Sequence, residues 1–393
     1  MRCDWTPRKR LSHLNHCVRM PKAYLNPDLI AVVKHTAAEV GFDLSGIAPA
    51  GDAPELKSFP AWIAAGRAGE MKYMESRDEQ GELKRASLSR VAPWAKSVIV
   101  CALNYNTDHP YSTQVSDHVR GWISRYAWSH EDYHDAVLRR LKQVEDALHD
   151  ATADTDPNLI TRSYVDTGPI VERVFAKYAG VGWIGKNTCI LNQKKGSWLF
   201  LGVILTSLEL TPDMPAPDRC GSCTRCIEAC PTDALIAPYQ LDSNRCISYL
   251  TIEKRGSLPE DLRSGMGRHV FGCDICQDVC PWNRKAPATT EPEFHARPGL
   301  VNPSLDWLAG ISEEEFRTAF RGSPISRAKR SGLRRNAVIA MGNSRRKEFL
   351  PILERLAHDD DEIVAESARW ALLQFQEDTS PDSAHAGGLE TSE

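Results

Sequence analysis

Cys220-Gly-Ser-Cys223-Thr-Arg-Cys226-Ile-Glu-Ala-Cys230-Pro231 is a complete C-x2-C-x2-C-x3-C-P run. Three thiolates at this spacing wrap one corner of an iron–sulfur cube. The fourth cysteine, turned away by the proline, reaches a second cube. A second run, Cys273-Asp-Ile-Cys276-Gln-Asp-Val-Cys280-Pro281, repeats the latter half of the pattern, but its first cysteine is missing because residue 270 is Val. Cys246 is the candidate left to supply it across an insertion. The crossed pattern predicts one [4Fe–4S] cluster on Cys220, Cys223, Cys226 and Cys280. It predicts another on Cys230, Cys246, Cys273 and Cys276. The competing arrangement is a pair of four-thiolate zinc sites, which rarely use a C-x2-C-x2-C comb followed by C-P.

Outward from this segment, the chain has 393 residues, enough for two or three domains. Its 42% hydrophobic and 25% charged content is that of an ordinary soluble protein. No apolar run approaches eighteen residues, so no spanning helix is expected. Arg8, Lys9 and Arg10 are followed by no apolar stretch, which argues against a secretory or twin-arginine signal and for a cytoplasmic protein. There are twelve cysteines, and the four outside the cluster segment (Cys3, Cys17, Cys101 and Cys189) are scattered. Cys101 and Cys189 lie in apolar runs and read as buried free thiols.

Before the cysteines, strands and helices alternate. Asn26-Pro27 opens a helix with Leu29, Ile30, Val33, Ala37 and Val40 on one face, ended by Gly41. Short helical stretches follow around Trp62 and Met71–Met74. Ser97–Tyr105 reads as a buried strand, Glu131–His149 as an amphipathic helix, and Leu159–Val165 as a strand. Asp166-Thr167-Gly168-Pro169 then leads into a helix from Ile170 to about Ala179. Cys189–Asn192 and Trp198–Thr206 read as a hairpin around Lys194-Lys195-Gly196. Gly180-Val-Gly182-Trp-Ile-Gly185-Lys186 looks like a phosphate loop, but a helix precedes it and Asn187 follows Lys186. A phosphate loop needs a strand before it and Ser or Thr after its lysine. The stretch therefore reads as a helix-to-strand turn.

Proline-rich stretches bracket the cysteine segment, and the remainder is helical. Leu333, Ala337 and Ala340 recur 31 residues later as Val364, Ala368 and Ala371, which suggests HEAT-like helical repeats. From Arg321 to Lys347 there are nine Lys or Arg and no Asp or Glu, a composition suited to nucleic-acid phosphates.

Several further segments carry a resemblance. They are Arg125-Tyr-Ala-Trp128 with Asp132-Tyr-His134, Val165-Asp166-Thr-Gly-Pro169 with Glu172-Arg173, and Gly182-Trp-Ile-Gly-Lys-Asn-Thr188. Gly196-Ser-Trp-Leu-Phe-Leu201, Cys246-Ile-Ser-Tyr-Leu-Thr-Ile-Glu253 and Phe271-Gly-Cys-Asp-Ile-Cys276 complete the set. In this order, over about residues 25 to 375, the chain resembles the epoxyqueuosine reductase family, which completes queuosine synthesis on tRNA.

The resemblance implies an α+β protein. Residues 1–20 and 376–393 fall outside it and read from their composition as a disordered extension and a disordered tail. Within it, a mixed α/β cobalamin-binding catalytic domain (21–210) would be followed by a ferredoxin-like double [4Fe–4S] domain (211–290) and a HEAT-like helical tRNA-binding domain (291–375). The resemblance implies that Asp166 is the general acid; read from the residues alone, Asp166 is better taken as a cap of the following helix. It further implies cobalamin contacts at Arg85, Asp166, Ser248, Arg255, Cys273 and Asp274, and phosphate contacts at Arg334, Arg335, Arg345 and Arg346. No histidine ligand to cobalt is expected, since Asp-x-His-x-x-Gly is missing. The implied partners are tRNA carrying epoxyqueuosine and a low-potential electron donor, with no membrane, for a monomeric enzyme. Two other readings compete: a cobalamin-dependent reductive dehalogenase, and a ferredoxin-type electron-transfer module.

Overall fold

The computed structural model describes residues 26–376. The expected extension and the tail beyond residue 376 lie outside them. The N-terminal half is built on a four-stranded sheet in the order Leu44–Pro49, Ser97–Asn104, Leu199–Thr206, Thr161–Tyr164. Every neighbouring pair is antiparallel, with Ile99 opposite Ile47 on one side and Ile204 on the other. Ser97–Asn104 is buried along its whole length because both sheet faces are covered. Ile99, Cys101 and Leu103 pack with Val33, Ala37, Val137, Leu141 and Val144. Val98, Val100 and Ala102 face the opposite way, against Phe175, Ala176 and Ala179.

Helices Asn26–Glu39 and Tyr133–Thr152 form the first layer, and helix Glu172–Tyr178 belongs to the second. A Cβ on Gly202 would meet Val137 and Leu141 at 2.8 Å. The missing side chain lets helix Tyr133–Thr152 lie close on the sheet, which fixes where its N-terminus emerges. The expected hairpin is different in the structure. Trp183–Ile184 pairs with Ile190–Leu191, while Leu199–Thr206 is an interior strand of the main sheet. An eight-residue apolar strand satisfies its main chain on both edges there, which a two-stranded hairpin could not offer. The start of the Gly180–Lys186 stretch is indeed a turn, between helix Glu172–Tyr178 and strand Trp183–Ile184, which the same stretch contains.

A second core joins the cysteine-rich segment to the C-terminal helices. It includes Trp122 and Trp128 from the N-terminal half, and strand His269–Phe271 pairs in parallel with Trp122–Ile123. Its central helix, Lys329–Ser344, is flanked by Leu305–Gly310 and Glu362–Leu373 and is buried from Leu333 to Gly342. Among the described residues no helix is long and apolar enough to cross a membrane. The whole is a mixed α/β protein.

Candidate active site

The seven cysteines of the two runs and Cys246 gather into two groups. Cys220 and Cys223 act electrostatically on Cys226, and Cys220 and Cys226 act on Cys280. Cys230 acts on Cys246, both act on Cys273, and Cys246 and Cys273 act on Cys276. Two short helices, Arg225–Glu228 and Ile275–Asp278, carry the middle of each run, and Cys246 stands just ahead of helix Ile247–Ile252. The loop that resembled a phosphate site braces both runs. Lys186 Nζ donates to the carbonyls of Gly221 (2.7 Å) and Cys223 (3.0 Å), and Asn187 Nδ2 donates to that of Cys276 (3.3 Å).

A cavity of about 480 Å³ opens between the sheet domain and this segment. Cys189, Cys230, Cys246, Cys273 and Cys276 line it, and so do Asp166, Glu172, Tyr133, Tyr73 and Arg327. Ser248 also faces it.

Asp166 sits in the loop after strand Thr161–Tyr164, with φ 59°, in the left-handed region. The helix that follows is capped by Val171 with no side-chain bond, so Asp166 is not its cap. Its side chain is 57% accessible and lines the cavity. Oδ2 accepts from the Tyr133 hydroxyl at 2.9 Å and lies 3.7 Å from both His134 Nε2 and Arg327 Nη1. Burial by itself would raise the Asp166 pKa. The nearby His134 ring, the Tyr133 hydrogen bond and the Arg327 charge overcome it, holding the carboxyl well below the usual carboxylate range. Glu172 goes the other way. Burial, then the Asp166 charge, push it up to about 7, and its Oε1 has no hydrogen-bond partner.

Tyr133 and His134 start their helix, which Asp132 caps by accepting from the His134 amide at 3.1 Å. The Tyr133 ring stacks on Phe200 at 4.3 Å with an interplanar angle of 1°, so the interior strand fixes the hydroxyl that meets Asp166.

Residues 219–283 match the 4Fe-4S double cluster binding domain, which decides for iron–sulfur clusters over zinc. Residues 85–167 match the family model "Epoxyqueuosine reductase QueG, DUF1730". The epoxyqueuosine reductase of Xanthomonas campestris pv. campestris is 39% identical over 88% of this chain and 96% of its own length. This chain belongs to the epoxyqueuosine reductase family. A crystal structure of an epoxyqueuosine reductase with an epoxyqueuosine-modified tRNA-Tyr stem loop has a TM-score of 0.78 at 33% identity, covering 90% of each chain. The Bacillus subtilis epoxyqueuosine reductase, in a structure with its catalytic aspartate loop swung out of the active site, has a TM-score of 0.77 at 32% identity. It covers 90% of this chain and 91% of its own.

Against this family background, several expected contacts need correction. The side chains of Arg85, Arg255 and Asp274 do not line the cavity. Asp274 is buried, and its carboxylate accepts from Ser124 Oγ, the Arg125 amide and Trp122 Nε1. Arg255 donates to the carbonyls of Ile252, Arg327 and Ala328. Arg85 donates to the carbonyls of Tyr73 and Gly168. All three hold up the walls of the site. Arg334 and Arg335, expected on tRNA, are 4% and 1% exposed. Arg334 pairs with Asp359, and Arg335 donates to the carbonyls of Leu250, Lys254 and Gly256. A guanidinium whose donors are spent inside cannot also hold phosphate. Arg345 and Arg346 are exposed.

Conversely, the sequence reading left out Tyr133, His134, Glu172 and Arg327 as site residues. The cap at Asp132-x-His134 was a usable signal. Arg327, 161 positions from Asp166 in the chain, gave none.

Proposed function

We propose that the protein reduces epoxyqueuosine at the wobble position of tRNA to queuosine. Electrons would pass through two [4Fe–4S] clusters on the cysteine quartets given above to cobalamin in the cavity. One observation carries this reading: Asp166 and the second quartet line the same cavity. Redox input and a proton donor therefore meet at the same substrate. The cavity suits a redox cofactor, since its lining brings Cys246, Cys273 and Ser248 together with Asp166.

Opening an epoxide to an alkene with loss of water takes two electrons and two protons. Cobalamin bound here would supply the electron-rich centre that breaks the first C–O bond. Asp166 protonates the departing oxygen from the cavity wall, where the Tyr133 hydroxyl holds its Oδ2. Without RNA the surroundings keep Asp166 ionised, so its proton must be delivered during turnover. The swung-out loop of the Bacillus subtilis relative suggests that residues 165–168 move between positions here too.

The paired helices Lys329–Ser344 and Glu362–Leu373 bury the repeated Leu333/Ala337/Ala340 and Val364/Ala368/Ala371. They form the HEAT-like part of a tRNA-binding domain at 291–375, after a catalytic domain (21–210) and a cluster domain (211–290). Arg345 and Arg346 supply phosphate contacts at its surface. The protein works as a cytoplasmic monomer with a low-potential donor. The deciding experiment is anaerobic conversion of epoxyqueuosine-containing tRNA with a strong chemical reductant, read by mass spectrometry of digested tRNA. Protein with full clusters and cobalamin that forms no queuosine would overturn the reading.

A further inference from the structure

We infer that His134 supplies the proton that Asp166 delivers in each turnover, and that Arg327 gates this transfer by covering the histidine. The inference rests on the reading of Asp166 as the acid and adds the source of its proton.

The geometry begins at Asp132. Its Oδ1 lies 2.6 Å from His134 Nδ1 while also capping the helix through the His134 amide. A carboxylate there takes Nδ1–H as its donor, so Nε2 is the nitrogen left to act. Nε2 faces two groups: Arg327 Nη2 at 2.8 Å and Asp166 Oδ2 at 3.7 Å. A guanidinium only donates. The short contact with Arg327 therefore requires an unprotonated Nε2 and a neutral imidazole. The same guanidinium places Nη1 3.7 Å from Asp166 Oδ2. Arg327 thus covers the nitrogen that would carry the proton and stabilises the carboxylate that should receive it. This arrangement is the resting one.

Withdrawal of Arg327 changes both conditions. Nε2 is then free to take a proton from water, and the imidazolium lies between two carboxylates, Asp132 and Asp166. The relay is balanced in protons and moves no electrons. His134 gives its Nε2 proton to Asp166 Oδ2 and becomes neutral. Asp166 passes that proton to the departing oxygen and is again a carboxylate, and His134 is recharged from solvent.

The groups around the pair are known. Asp132 and Tyr133 come from the start of the helix, Tyr126 from the preceding turn, and Arg327 from the C-terminal part. Arg85, Glu172 and Tyr73 act on Asp166. Burial lowers the His134 pKa and Arg327 lowers it further, but Asp132 and Asp166 raise it and prevail. Arg327 belongs to Pro324–Ala328, immediately ahead of helix Lys329–Ser344 in the acid-free stretch. An RNA phosphate arriving there competes for its guanidinium, which ties proton delivery to substrate binding.

The test is the pH dependence of single-turnover reduction in cluster- and cobalamin-replete protein. A histidine that must be charged gives an alkaline limb in the wild type. Asp132→Asn, which removes one anion, should move that limb to lower pH. Arg327→Met, which removes the opposing cation, should move it to higher pH. His134→Gln should abolish the limb and slow turnover roughly 10- to 100-fold, a fraction of the usual worth of proton transfer. His134→Ala should recover rate with added imidazole. A loss of rate in the His134 variants with an unmoved limb and no imidazole rescue would overturn the relay, provided Asp166→Asn is inactive in parallel. If Asp166→Asn turns over normally, the acid assignment itself fails and the relay with it.

Discussion

Arg85 Nη2 donates to the main-chain carbonyl of Gly168 at 2.9 Å, two residues beyond Asp166, while Nη1 donates to the carbonyl of Tyr73 at 2.6 Å. The side chain is buried, so this bond ties the Asp166 loop to the wall of the cavity. A hydrogen bond to a charged group contributes about 1.5–3 kcal/mol, and about 1.4 kcal/mol is a factor of ten. Arg85→Met should therefore lower turnover roughly 10- to 100-fold by releasing the loop. Iron content should be unchanged, and cobalamin affinity should stay within about twofold, because the guanidinium does not line the cavity. Weakened cobalamin binding with normal turnover at saturation would make Arg85 a cofactor contact after all.

Asp166→Asn separates acid from scaffold. Asn is among the few side chains at ease in the left-handed region, so the backbone at φ 59° should accept it. The amide can still accept from Tyr133, but it carries no transferable proton. Turnover should fall by about 10²- to 10⁴-fold, with iron content, cobalamin content and tRNA affinity near wild type. Activity within a few fold of wild type would remove Asp166 from the chemistry.

The parts of this site that could be read from sequence were those set by local spacing. The two cysteine runs, the buried strand from Ser97 and the apolar face of Val137, Leu141, Val144 and Leu148 each follow from short-range pattern. Pairing between distant strands does not. Leu44–Pro49 is six residues long, contains Gly and Pro, and becomes a strand because Ser97–Asn104 offers it an edge. Leu199–Thr206 was legible as a strand, but its partners lie about 40 and 100 residues away in sequence. Charge was misread for a related reason. An acid-free helix looks like a phosphate surface until tertiary structure places Asp359 against Arg334 and three carbonyls against Arg335. The active-site triad of Tyr133, Asp166 and Arg327 is assembled from three separate parts of the chain, so no window of sequence contains it.

Cys246 tests the cluster assignment. It stands alone between the two runs, ahead of helix Ile247–Ile252, and no side-chain cap there gives it a structural duty. Cys246→Ala should leave the second cluster with three thiolates. Anaerobic protein should then retain about four of about eight irons. Full iron in the variant would require a different fourth ligand.

The helix Lys329–Ser344 separates stability from RNA affinity. Arg335 is 1% exposed, and burial pushes its pKa down to about 10, so the guanidinium remains charged at neutral pH. Its donors hold the carbonyls of Leu250, Lys254 and Gly256, which lie on and just after the helix that Cys246 opens. Arg335→Met removes the charge but strands these acceptors, at about 1–3 kcal/mol for each one left dry. The thermal midpoint should drop by several degrees, at roughly 2–4 °C per kcal/mol for a unit of about 150–250 residues. Iron retention should weaken as well, since the same helix carries the second cluster's segment. Whatever folded protein remains should bind tRNA with near wild-type affinity and an unchanged salt slope. Arg345→Glu with Arg346→Glu should do the reverse. Both sit at the exposed end of the helix, so the melting temperature should hardly move while tRNA affinity falls and the plot of log Kd against log salt flattens. The loss should be alike for all substrate tRNAs, because phosphate contacts carry no sequence. Equal tRNA affinity at moderate salt would place the RNA on another face of the molecule.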